Sequence, residues 1–146
     1  MQSRKGLRRT SVDYSTEHFS ATLPALAANI LPLRKGIMGF AESHGAKPAA
    51  LSDIALAVGE ALNNVVIHAY RQESTPGRMT IDAHMDTTSL TVAVIDEGLG
   101  FTPRNGSPGL GLGMPIIARL ASTLTVVANG DRDQPGTTVL MGFRLA

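Results

Sequence analysis

Glu60, Asn64 and His68 repeat at every fourth position in a largely apolar stretch. In a helix that spacing sets them in one row along a face. Burying an acid and an amide without partners costs kilocalories, so the row implies a polar group set against it. Glu60 has the chemistry to take a proton from a hydroxyl or a water. Asn64 offers a neutral oxygen of the kind Mg²⁺ accepts beside waters and phosphate oxygens. A solvated helix face explains the pair equally well in isolation. His68 reads as a structural histidine one turn further on.

Three glycine-bearing segments add further chemistry. Asp96-x-Gly98-x-Gly100 ends an apolar run, and a carboxylate there can accept a hydrogen bond from an exocyclic amine such as that of adenine. A plain Asp-Gly turn is the competing reading. Gly109, Gly111 and Gly113 precede a helical pattern, where small residues and free N–H groups suit a phosphate. The segment is not a P-loop, because no Gly-Lys-Ser/Thr follows. It is not the dinucleotide fingerprint, because no strand leads into it. Gly136-Thr137-Thr138 opens the last strand, and its hydroxyls either complete a base pocket or simply favour β structure. His18, His44 and His84 show no metal-ligand spacing and read as surface residues.

The elements that must position these groups follow from periodicity. Residues 18–23 alternate and give a first strand, ended by Pro24. Residues 25–44 give a helix with Pro32 at a start or kink, Ile30, Leu33, Ile37, Phe40 and Ala41 as its buried stripe, and Gly45 as its stop. Residues 51–70 give the helix that carries the polar row, with Leu51, Ile54, Val58, Leu62, Val65 and Ala69 on its apolar side. Residues 79–86 and 90–95 make an antiparallel hairpin, the second strand more fully buried. Pro115 fits the first turn of a third helix. Residues 124–128 and 138–145 are the last strands. The resulting expectation is an α+β two-layer sandwich with a mixed, mainly antiparallel sheet and its helices on one face.

Composition narrows the classes. The chain has 146 residues, enough for one domain with a proper core. Hydrophobic content of 43% against 17% charged residues excludes wholesale disorder. Aromatics at 4% and the absence of Trp argue against base stacking on nucleic acid. The net charge of +1 is uneven: Arg4, Lys5, Arg8 and Arg9 lie in a stretch without acids, so the remainder is slightly acidic. Residues 1–14 therefore read as a disordered basic tail and 15–146 as the folded domain. With no Cys, disulfides and thiolate metal sites are excluded, which fits a cytoplasmic protein. No apolar segment follows the basic start, and no run of 18 apolar residues is seen, so neither a signal peptide nor a membrane span is expected.

Taken together, Glu60-x-x-x-Asn64, Asp96-x-Gly98-x-Gly100, Gly109-x-Gly111-x-Gly113 and Gly136-Thr137-Thr138 resemble, in order and spacing, the four nucleotide-binding boxes of the GHKL (Bergerat-fold) ATPases. The wording of residues 60–70, Glu-Ala-Leu-Asn-Asn-Val-Val-Ile-His-Ala-Tyr, is similar to that of the anti-sigma factor serine/threonine kinases. The likeness runs from about Phe19 to Phe143. It implies an ATP site beneath a lid formed by residues 102–113. It implies Glu60 as catalytic base and Asn64 as the magnesium ligand. Asp96 would hold adenine, Gly98 and Gly100 would shape its pocket, Gly109, Gly111 and Gly113 would form the phosphate loop, and Thr137 would serve the base. It also implies a sigma factor and an anti-anti-sigma (STAS-type) protein as partners, with Arg34 near the arginine that relatives use to grip sigma, and a homodimer. No direct nucleic-acid contact is expected.

Two functions follow as expectations. The first is an ATP-dependent protein serine/threonine kinase that binds a sigma factor and phosphorylates an anti-anti-sigma partner. The second is an ATP-binding switch of the same fold without catalysis. A histidine-kinase catalytic fragment ranks below both, because none of the four His lies in a phosphoacceptor helix pair.

Overall fold

A computed structural model describes residues 11–14, 17–99, 110–128 and 136–146. The sheet has six strands: β1 (Ser11–Tyr14), β2 (His18–Pro24), β3 (Arg78–Asp86), β4 (Ser89–Asp96), β5 (Thr123–Ala128) and β6 (Thr137–Arg144), in spatial order β1-β2-β3-β4-β6-β5. Every described pairing is antiparallel. Between β2 and β3 run two helices, α1 (Ile30–Ser43) and α2 (Pro48–Asn64), and α3 (Leu110–Leu120) precedes β5. A single crossover helix would return a parallel strand, whereas two in succession return the chain antiparallel. Ser11–Tyr14, the end of the stretch read from sequence as a tail, pair with β2 as an edge strand; residues 1–10 lie outside the described residues.

The alternation legible in β3 is the burial pattern itself. Met79, Ile81 and Ala83 point into the core with Phe19, Ala21, Leu90, Val92, Val94, Val139, Met141 and Phe143. The helices cover that face with Leu33, Ile37, Phe40, Ile54, Val58, Leu62 and Ile117, all nearly inaccessible. The other face carries His18, Thr22, Thr80, Asp82 and His84, and the Thr22 and Thr80 hydroxyls meet across the strands at 2.9 Å.

Helix boundaries follow local chemistry. A 3₁₀ turn, Ala27–Asn29, precedes α1, which places Pro32 inside the first turn, where a missing N–H costs nothing. The helix stops at Gly45, whose φ of +86° is left-handed. The Gly45 N–H then reaches the Glu42 carbonyl and the Ala46 N–H the Ala41 carbonyl, a double closure that satisfies the last carbonyls. Pro48 opens α2 at its first position.

Two segments differ from the periodic reading. The helix of the polar row is α-helical only to Asn64; Val65–Ala69 form a π turn. In addition, α3 begins at Leu110, so Gly111 and Gly113 lie inside a helix rather than in a loop leading to it. Pro115 consequently sits in the second turn instead of the first. Its ring removes one backbone bond, which leaves the Gly111 carbonyl without its usual helical donor. The Pro48–Ala69 segment is also long and apolar enough to cross a membrane by length and composition. Ile54, Ala57, Val58, Ala61 and Leu62 of that segment are buried at 0–1% exposure under the sheet and its neighbouring helices, which accounts for its apolar character.

Candidate nucleotide-binding site

The end of α2 is tied to the strand ends in a way that builds a cleft. The π turn brings the Ala69 carbonyl to the Leu99 N–H at 2.8 Å. Widened turns of this kind recur at functional sites because they release backbone groups for other partners. Tyr70 follows directly. Its hydroxyl donates to the Arg78 carbonyl at 2.5 Å and accepts from the Glu97 N–H at 2.9 Å. One side chain thus joins the end of α2, the start of β3 and the exit of β4. Gly98 fits into this junction because it has no side chain: a Cβ there would fall on the Ala69 carbonyl oxygen. Its need is for room and not for torsion, since Gly45 is the left-handed glycine among those described.

Asp96 lies at the floor. It is 7% exposed, accepts the Gly98 N–H at 2.9 Å, and is also held by the Thr137 backbone, its register partner on β6. Burial pushes the carboxyl above its ordinary range; the Gly98 and Thr137 bonds pull it down, and the Glu97 charge adds a smaller upward push. Thr137 beside it is 5% exposed.

The cleft has a volume of about 500 Å³, counting space open to solvent, and its lining includes Asn64, His68, Arg71, Asp96, Leu99, Met114 and Thr137. An acid held between backbone donors at one point and an amide at another, in a largely apolar cleft, is the pattern of a small-molecule site. The Asn64 Nδ2 is buried and has no hydrogen-bond partner among the described residues. A buried donor left unpaired costs free energy, so the site favours an acceptor-rich ligand such as a phosphate. If the amide is turned, its oxygen offers the same position to a cation.

The structure thus gathers Asn64, Asp96, Gly98 and Thr137 around one cleft. Gly111 and Gly113 are helical, and Met114, which follows them, reaches the cleft wall. Gly100 and Gly109 lie outside the described residues.

Two expectations change. Glu60 does not line this cleft. It is half-buried in a separate groove with Ile30, Arg34, Ala55, Leu56, Gly59 and Asn63. A four-residue step turns a helix by 400°, so Glu60 is rotated about 40° from Asn64 and stands one turn nearer the start of α2. The Arg34 Nε in that groove is buried without a hydrogen-bond partner among the described residues. His68, read from sequence as a structural neighbour, does line the cleft. Burial and then the Arg71 charge hold its pKa below the ordinary value, which favours the uncharged imidazole. Tyr70 was not legible as a site residue; an aromatic at the end of the polar helix was its one signal.

Comparison with known proteins identifies the family. Residues 23–143 match the family described as the histidine kinase-like ATPase domain. The chain is 29% identical over 129 residues to the anti-sigma F factor of Lysinibacillus sphaericus, covering 81% of this chain and 86% of that one. It is 34% identical over 89 residues to the serine-protein kinase RsbW of Listeria innocua, covering 60% of this chain and 56% of that one. A crystal structure of the RsbU and RsbW domains of a Mycobacterium tuberculosis protein superposes with a TM-score of 0.68 at 22% identity, over 88% of this chain and 32% of that one, a likeness of fold. The chain therefore belongs to the histidine kinase-like (GHKL) ATPase family, among the relatives of the anti-sigma F factors and RsbW-type serine-protein kinases.

Proposed function

We propose that this protein is an ATP-dependent protein serine/threonine kinase that acts as an anti-sigma factor in the cytoplasm. In this reading it binds a sigma factor and phosphorylates an anti-anti-sigma (STAS-type) partner. The observation that carries the reading is the pairing, in one cleft, of a buried carboxylate with a buried amide that has no partner among the described residues. Asp96 would accept from the adenine amine while the Gly98 and Thr137 N–H groups fix its orientation. Thr137 and Leu99 would border the base. The first turn of α3, with Gly111 and Gly113, would offer its free N–H groups to the phosphates.

Asn64 suits a magnesium ion through its amide oxygen, and a bound Mg²⁺ would neutralise phosphate charge. Glu60, one turn before Asn64, would accept the proton of the attacking serine or threonine hydroxyl. Catalysis of this type rests on positioning and electrostatics, which a preformed cleft supplies.

The Glu60 groove suits a protein partner. Arg34 presents a buried guanidinium Nε without a partner among the described residues, and Leu31 and Leu56 nearby are more than half exposed. A sigma factor would meet this face through an acidic side chain and apolar contacts, and a second copy of the chain would complete a homodimer. One observation favours the non-catalytic switch: Glu60 shares its groove with Arg34 and not with the cleft.

The test uses the purified chain, Mg²⁺-ATP and a candidate anti-anti-sigma protein. Mass spectrometry should find one phosphoserine or phosphothreonine on the partner, and the chain should co-purify with a sigma factor more strongly with one of ATP and ADP than with the other. ATP binding without transfer would select the switch. No ATP binding would end both readings.

A further inference from the structure

The outer face of the sheet, opposite the helices, carries a separate group of donors. In the β2–β3 register His18 stands directly across from His84. Side chains of a strand alternate, so Asp82, two residues before His84, shares its face. The three converge. His18 Nε2 is hydrogen-bonded to Asp82 Oδ1, and His84 Nε2 lies 3.7 Å from Asp82 Oδ2. The two imidazoles stack with centroids 4.5 Å apart and planes inclined by 23°. One ligating atom from each residue lies within 4.8 Å of the other two.

This arrangement has more order than solvated side chains need. Each carboxylate oxygen faces a different imidazole, and the two rings lie against one another on neighbouring strands. Small side-chain rotations would bring two nitrogen lone pairs and a carboxylate oxygen around one point. The backbone would not need to move, because hydrogen-bonded strands fix the Cα positions. Side-chain exposures of 30% for His18, 34% for Asp82 and 61% for His84 leave the approach open to an ion and to its remaining water.

The donor set selects the ion. Two imidazoles with one carboxylate suit borderline divalent metals, zinc foremost, in a tetrahedral site with a fourth position for water. Magnesium and calcium take oxygen ligands and are poorly served here. We propose that His18, Asp82 and His84 form a binding site for a divalent transition-metal ion, with Zn²⁺ the best fit. The site is separate from the nucleotide cleft, lies on the opposite face of the sheet, and clips β2 to β3. Binding only to the folded chain makes the ion a stabiliser of that pairing.

The experiment titrates the full chain, free of nucleotide, with ZnCl₂ by calorimetry and follows thermal unfolding with and without the metal. One equivalent should bind and raise the melting temperature. Removing an outer-shell support typically weakens a metal site by about 10–100-fold, so losing a ligand should cost at least that. His18→Ala, Asp82→Ala and His84→Ala should each bind at least tenfold more weakly and lose the thermal shift. Excess Mg²⁺ should not compete. His44→Ala should bind as the parent does, since its Nδ1 already meets the Phe40 carbonyl at 2.8 Å. His84 is the most exposed ligand, so its variant folds even if the others are weakened. Failure of the parent to bind Zn²⁺, or a His84→Ala protein that binds equally well, would reduce the cluster to a cross-strand hydrogen-bonded pair.

Discussion

Gly98 sits against the carbonyl of Ala69 with no room for a methyl group. The same carbonyl accepts the Leu99 N–H, so the turn after β4 and the π turn after α2 form a single joint. Asp96, Leu99 and Ala69 all line the cleft, and the joint fixes its floor. Gly98→Ala would force these elements apart. Overpacking of this kind costs roughly 1–3 kcal/mol. The expected result is a lower unfolding midpoint together with weaker ATP binding in calorimetry. An alanine variant with both properties unchanged would show that the joint is slack.

Asp96 carries a cost that a ligand can offset. Its folded-state pKa is raised, chiefly by burial, so folding favours the protonated form. The stabilising contribution is complete below the unfolded carboxylate value of about 4 and is lost as pH rises through the raised folded value. At neutral pH the ligand-free protein therefore holds a charge that opposes folding. Asp96→Asn should stabilise the ligand-free protein at pH 7, with the gain shrinking as pH falls through that window. The same change removes a charged acceptor, worth about 1.5–3 kcal/mol, so ATP should bind at least about tenfold more weakly. Melts at several pH values and calorimetry decide this. An Asn variant that is less stable at neutral pH, or that binds ATP normally, contradicts the assignment.

Much of the fold was legible because the signals were local. The alternation of Met79, Ile81 and Ala83, the helical stripe of Leu33, Ile37 and Phe40, and the stop at Gly45 are each written within a few residues. Asp96 and Asn64 were legible as candidates because a charge or amide amid apolar neighbours must answer to something. Glu60 and His68 sit differently from the single row read in sequence for a geometric reason. Spacing of four drifts around a helix, and the π turn shifts the register after Asn64, so one row in sequence becomes two sites in space. The meeting of His18 with His84 had no sequence signal at all, since it arises from strand pairing across 66 positions.

Tyr70 offers a check on how the cleft is held. Replacing it by Phe keeps the ring beside Gly77 and removes both hydrogen bonds, to the Arg78 carbonyl and from the Glu97 N–H. The Glu97 amide is exposed, so water can replace that bond, and the half-buried Arg78 carbonyl carries most of the loss. A destabilisation of about 1–2 kcal/mol is expected. Faster amide exchange at Glu97 and Leu99 should accompany it, measured by hydrogen exchange, because the turn loses its anchor to α2. A loss of stability with unchanged exchange at those amides would mean that Tyr70 supports the core alone.

Glu60 decides between catalysis and switching, because nothing in the cleft needs it for binding. It lies in the Arg34 groove beside the cleft, one helical turn from Asn64. Glu60→Gln keeps the shape of the side chain and removes its ability to take a proton. General bases typically contribute about 10²–10⁴-fold, so phosphate transfer to the partner should fall by at least a hundredfold. ATP affinity should stay at the parental value, since Asp96 and Asn64 are untouched. Asn64→Ala should behave differently and lose binding and transfer together. The pair of variants separates the two tasks along α2, with transfer in single-turnover assays and affinity in calorimetry as the readouts. Undiminished transfer in Glu60→Gln would assign the proton to another acceptor and leave Glu60 to the partner-facing groove it shares with Arg34.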